Sequence, residues 1–85
     1  MLPTNAIQFI MHAPQFIAHM QSNGLDPNIC HEINIRLIND EVNQVSYFDV
    51  YFDYGRLGQS TKDVVATVKI IDINRFQLVN IKFRS

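Results

Sequence analysis

Residues 6–12 read A-I-Q-F-I-M-H and residues 13–19 read A-P-Q-F-I-A-H, one seven-residue phrase written twice in succession. Apolar side chains at that spacing return to one side of an α-helix. Ala6, Phe9, Ile10, Ala13, Phe16, Ile17 and Met20 therefore form a stripe that must be buried against something else. The other side, Gln8, Met11, Gln15, Ala18 and Ser22, is small or amide-rich, and no Lys, Arg, Asp or Glu precedes Asp26. A helix back without charge is a candidate contact surface. Thr4 or Asn5 can cap this helix, and Gly24 supplies the left-handed residue that ends it. Pro14 removes one backbone donor, but the seven-residue phase survives across it. The expectation is one helix over 5–23, kinked at Pro14, with two short helices breaking at Ala13 as the alternative.

After Asp26-Pro27 the apolar period changes from seven to two. Ile29, His31, Ile33, Ile35 and Leu37 alternate with polar neighbours, and Phe48, Val50, Phe52 and Tyr54 alternate with Tyr47, Asp49, Tyr51 and Asp53. Strands are expected over about 29–38, 45–54, 64–71 and 76–84, with a turn at Asp40-Glu41-Val42-Asn43 and a loop over 55–62. Closing the first turn between Asn39 and Gln44 sets Ile33 opposite Val50 and Ile35 opposite Phe48. Closing the last between Ile71 and Phe76 sets Val68 opposite Val79 and Ala66 opposite Ile81. Val50 opposite Val68 joins the two hairpins into one continuous apolar face. The fold class is α+β: one domain over 1–85 in which an N-terminal helix covers a four-stranded antiparallel meander.

That register also composes the opposite face. Arg36, Tyr47, Ile71 and Phe76 fall in one row, and Asp49 lies beside Lys69 as an opposite-charge pair. Tyr47, Ile71 and Phe76, with Leu78 diagonal to them, form an apolar cluster that no helix remains to cover. Arg36, Tyr51 and Lys69 make its polar rim. These seven residues are the expected partner-binding surface, and a homodimer through it is the simplest partner.

The chemistry of active sites finds little purchase. His12 and His19 lie two turns apart, about 10 Å along a helix, too far to share a metal ion. Cys30 and His31 are adjacent on a strand and so face opposite ways, and Asp49 and Asp53 stand about 13 Å apart. Residues 55–62 faintly resemble a phosphate loop but lack its Gly-Lys-Ser/Thr ending and lead into a strand. No metal, cofactor or enzymatic activity is expected. Charge divides unevenly: residues up to Tyr54 sum to −5 and those from Gly55 onward to +4. Arg56, Lys62, Lys82 and Arg84 are the residues a nucleic-acid reading would use, although Asp49 and Asp53 beside the tyrosines oppose phosphate. One cysteine excludes an internal disulfide and fits a reducing compartment, and no segment reads as a signal peptide or membrane span, so a cytoplasmic location is expected.

A helix cradled by a meander is the general plan of cystatin-like folds, but their inhibitory loop motif is absent, and a shared plan carries no function. The expected function is a small non-enzymatic protein-binding module, acting stoichiometrically as an inhibitor or adaptor of a larger protein. Phages and mobile elements direct inhibitors of this size at host enzymes. A structural subunit that self-assembles, or a weak nucleic-acid binder, is the alternative.

Overall fold

The computed structural model describes residues 4–26, 28, 30, 32–54 and 63–84. Two helices, α1 (Thr4–His12) and α2 (Pro14–Ser22), precede four strands, β1 (Glu32–Asp40), β2 (Val45–Asp53), β3 (Asp63–Asp72) and β4 (Arg75–Arg84). The strands form one antiparallel sheet in the order β1-β2-β3-β4, so the expected α+β meander is the observed one.

The single kinked helix is corrected to two. Ala13 is extended, at φ −71° and ψ 126°, because the ring of Pro14 disfavours helical backbone at the residue before it. Pro14 then occupies the first turn of α2, where a missing N–H costs nothing. The stripe nevertheless stays in phase: Ala6, Ile10, Ala13, Phe16 and Met20 are all buried, while Phe9 and Ile17 are half-buried. At the far end, Asn23 caps α2 and Gly24 takes φ +69° as expected. The Gly24 N–H donates to the Gln21 carbonyl and the Leu25 N–H to the Met20 carbonyl, which is the Schellman pattern. Leu25 then packs on the core with Met20, fixing the exit of the chain toward the sheet.

The helices cover the sheet face carrying Ile33, Ile35, Phe48, Val50, Phe52, Val64, Ala66 and Val68. Phe16 stacks at 5.1 Å from Phe52, and Phe9 lies 5.7 Å from Phe76. Burying an aromatic or branched side chain of this size contributes about 1.5–3 kcal/mol, so Phe16, Phe52, Ile10 and Val50 dominate the stability of the layer. Among the described residues no polar or charged side chain is buried in this core.

Register separates the two hairpins. Between β1 and β2 the observed pairs are Ile33–Phe52 and Ile35–Val50, two residues from the expected closure. Asp40 now pairs with Val45, and the connection is Glu41 to Gln44. Asp40 accepts from the Asn43 backbone and side chain, and Gln44 closes the turn at φ 55°, in the left-handed region. β2 and β3 are likewise offset by two, with Val50 opposite Ala66 instead of Val68. An even offset leaves every side chain on its expected face.

The last hairpin behaves differently. Thr67–Asn80, Ala66–Ile81 and Asp72–Arg75 keep the expected register, but Val68 pairs with Leu78 and Ile70 with Phe76. One extra residue in β4, Val79, and one in β3, Ile71, shift the pairs between them by one position. Phe76 and Leu78 are thereby turned over. Phe76 enters the core against Phe9 and Phe48, Leu78 packs beside it, and Val79 and Ile71 are left 54% and 49% exposed.

Candidate protein-binding surface

The sheet face turned away from the helices is built from four cross-strand rows. Glu32, Asp53, Asp63 and Arg84 form the first; Asn34, Tyr51, Val65 and Lys82 the second. Arg36, Asp49, Thr67 and Asn80 form the third, and Ile38, Tyr47, Lys69 and Gln77 the fourth. Four of the seven expected surface residues, Arg36, Tyr47, Tyr51 and Lys69, stand in these rows. Ile71 follows Lys69 along β3 and remains exposed.

Phe76 and Leu78 are withdrawn from this surface, because the extra residue at Val79 directs them to the helix side. The expected aromatic–aliphatic cluster of Tyr47, Ile71, Phe76 and Leu78 does not form. Its loss follows from the gain on the other side: an exposed phenylalanine would forfeit burial against Phe9 and Phe48, whereas exposing Val79 sacrifices a smaller side chain.

Two apolar residues of this face outside the expected seven take their place. Ile38 pairs with Tyr47 and is half-buried, and Val65, between Tyr51 and Lys82, is only 7% exposed although no helix covers this side. Both residues carry a sequence signal. Ile38 follows Leu37 and Val65 sits between Val64 and Ala66, places where consecutive apolar residues interrupt the alternation.

The centre of the face is a fixed polar group. Asp49 accepts from the Thr67 hydroxyl at 2.7 Å and faces the Arg36 guanidinium at 3.5 Å. The expected Asp49–Lys69 pair is corrected, since the two-residue offset moves Lys69 opposite Tyr47. Arg36 remains 64% exposed at its side chain, so its ion pair contributes little to stability, and most of its donors face outward.

At the other end of the sheet, Tyr54 closes the core and Cys30 is half-buried near Asp53. Burial pushes the Tyr54 phenol above its ordinary range, with the Cys30 thiol and the Asp26 carboxyl adding to the effect. Burial likewise raises the Cys30 thiol. His12 and His19 are exposed; the His12 Nδ1 lies 2.8 Å from the Gln8 carbonyl, and the His19 ring rests 6.2 Å from Phe83. Among the described residues no three His, Cys, Asp or Glu side chains are grouped to hold a metal ion, and no helix is long and apolar enough to cross a membrane. Of the four cations that a nucleic-acid reading uses, Arg56 and Lys62 lie outside the described residues. Lys82 shares an outer-face row with Tyr51, and Arg84 pairs with Asp63 in the β3–β4 ladder. Comparison with protein families, curated proteins and solved structures finds no match to this chain.

Proposed function

We propose that the chain is a non-enzymatic protein-binding module that acts stoichiometrically on a larger protein, as an inhibitor or adaptor, through the open face of its sheet. The observation that supports this reading is the composition of that face. An antiparallel sheet with one solvated side ordinarily alternates apolar-in with polar-out. Here Ile38, Tyr47, Tyr51 and Ile71 stand on the side away from the helices with Val65 buried beside Tyr51, around the ordered group of Arg36, Asp49 and Thr67. Tyrosine brings contact area at low cost in rotamer freedom and keeps a hydroxyl for a partner, which is why it is enriched in binding surfaces. Tyr47 and Tyr51 flank the central Arg36–Asp49–Thr67 group as the aromatic anchors, and Arg36 and Lys69 supply the charged contacts beside them.

The test is a pair of outward-facing variants, Tyr47→Glu and Tyr51→Glu, in a protein first used to retain its partner from the host lysate. Binding is then measured with that partner purified. Both variants should keep the parent's circular dichroism and melting, and Tyr47→Glu should weaken the complex at least about a hundredfold, as loss of an aromatic anchor does. Parent-like affinity in both variants would remove the face from the interaction. Retention of DNA or RNA that falls with salt and with neutralisation of Lys82 and Arg84 would favour the nucleic-acid alternative.

A further inference from the structure

The two edges of the sheet are unlike. β4 carries the extra residue at Val79 and presents Arg75, Gln77, Asn80 and Lys82, the irregularity and charge that discourage another strand from adding. β1 lacks the irregularity, and its charged residues, Glu32, Arg36 and Asp40, include both signs and so can pair between copies. Its ladder with β2 runs unbroken through nine residues, from Glu32 to Asp40, and contains neither Pro nor Lys. Its inward side chains, Ile33, Ile35 and Leu37, are uncharged and incompletely covered, with Leu37 53% exposed. Among the described residues no strand pairs with its outer edge.

We infer that β1 is a self-pairing edge: a second copy of this chain adds to it antiparallel, about a two-fold axis at Asn34, and makes one eight-stranded sheet. The axis must stand perpendicular to the sheet, so each residue meets one on the same face, and the partner's helices lie on the same side as the first copy's. The charges choose among the registers this allows. Centring on Arg36 sets Arg36 against itself and Glu32 against Asp40 of the second copy, both like-charge contacts. Centring on Ile35 sets Glu32 against Ile38 and forms no ion pair. Centring on Asn34 sets Glu32 against Arg36 twice on the open face, and Ile33 against Ile35 twice on the helix side.

Two features of the single chain favour that register. Glu32 heads a row in which Asp53 and Asp63 follow on the neighbouring strands, and it has no hydrogen-bond or ion-pair partner among the described residues. Arg36 is mostly exposed and holds Asp49 only at 3.5 Å, so its outward donors are free to reach a second carboxylate. Pairing joins the open faces of both copies without using Tyr47 or Tyr51, and so stands independently of the proposed binding function.

Sedimentation of the purified full chain over a range of concentrations reads the self-association constant, with circular dichroism as the check on folding. The parent should dimerise. Glu32→Arg converts both ion pairs to like-charge contacts and should weaken the dimer about tenfold or more. The double variant Glu32→Arg/Arg36→Glu restores opposite charge in exchanged positions and should recover most of the parent's association. Asn34→Cys, in a Cys30→Ser background, should cross-link two copies under oxidation, whereas Tyr47→Cys should not. The inference is overturned by a parent that remains monomeric at every concentration. It is equally overturned by a dimer insensitive to Glu32→Arg, or by one abolished by Tyr47→Glu.

Discussion

The two hairpins depart from ideal alternation by different amounts, and only one of the departures matters to the surface. β1 and β2 slide by two residues, a change that moves Ile33 from Val50 to Phe52 and leaves every side chain on its own side. β3 and β4 slide by one, over the short stretch between Val79 and Ile71, and that smaller movement exchanges core for solvent. Parity is therefore the quantity that decides which residues a sheet offers to a partner. Magnitude of slip is secondary. The two irregular residues are mutually compensating, so both ends of the β3–β4 ladder remain in the simple register while its middle does not.

The strongest way to break this comparison is Phe76→Glu. In an unbroken ladder the residue would face water and the change would be harmless. In the bulged one it places a carboxylate against Phe9 and Phe48, and the domain should fail to fold, with loss of the cooperative melt. A parent-like melting curve would restore the unbroken register. Next in size is Phe16→Ala, which empties the contact with Phe52 on β2, the strand that joins the first hairpin to the second. It should cost about 3–5 kcal/mol, read as a shift in denaturant midpoint at unchanged slope.

Deleting Val79 sharpens the contrast in the opposite direction. Asn80 opposite Thr67 would then be followed directly by Leu78 opposite Val68, so the deletion should be tolerated within about 1 kcal/mol. Deleting Leu78 gives the same shortened ladder with Val79 in place of leucine opposite Val68, and should cost only about 1 kcal/mol more.

The smallest effects belong to the turns, where the hairpins agree. Hydrogen bonds from the Asn43 side chain and backbone hold the Asp40 carboxyl below its usual range, and those from the Asn74 backbone and Arg75 do so for Asp72. A carboxyl depressed on folding stabilises the fold above its unfolded value near 4, and that contribution is lost as pH falls through the folded value. Asp40→Asn and Asp72→Asn should each flatten the acid limb of the stability curve, matching the parent at the most acid pH and falling slightly below it from neutral pH upward. An acid limb identical to the parent's would show the turns to be without weight.

Much of this architecture is written in periodicity. The seven-residue stripe locates the helix layer, and the alternation after Pro27 locates four strands and their inner faces. The C-terminal cap at Gly24 is equally plain. What alternation does not give is the phase change inside a strand. In β4, Phe76 and Leu78 follow one parity, while Val79, Ile81 and Phe83 follow the other. The adjacent pair Leu78-Val79 is where the phase turns over, as is Ile70-Ile71 in β3. Treating each strand as strictly alternating necessarily puts one half of it on the wrong face. This is why Tyr47, Tyr51, Arg36 and Lys69 were legible as outer residues and Phe76 and Leu78 were not. The break between α1 and α2 has a similar origin: the burial phase is a property of side chains, whereas the constraint at Ala13 acts on backbone through the ring that follows it.

The contact between Phe9 and Phe76 has a consequence for the order in which the molecule comes into being. A ribosome releases α1 before β4, and at about 5–20 residues per second Phe76 emerges several seconds after Phe9. β1 and β2 can zip together meanwhile, since they are joined by a short local turn, but the seat for Phe9 is unfinished until the final strand arrives. Through the synthesis of the four strands the apolar-striped segment over residues 4–22, which carries no Lys, Arg, Asp or Glu, is without its complete sheet, and arrival of β4 is the step that completes the seat for Phe9.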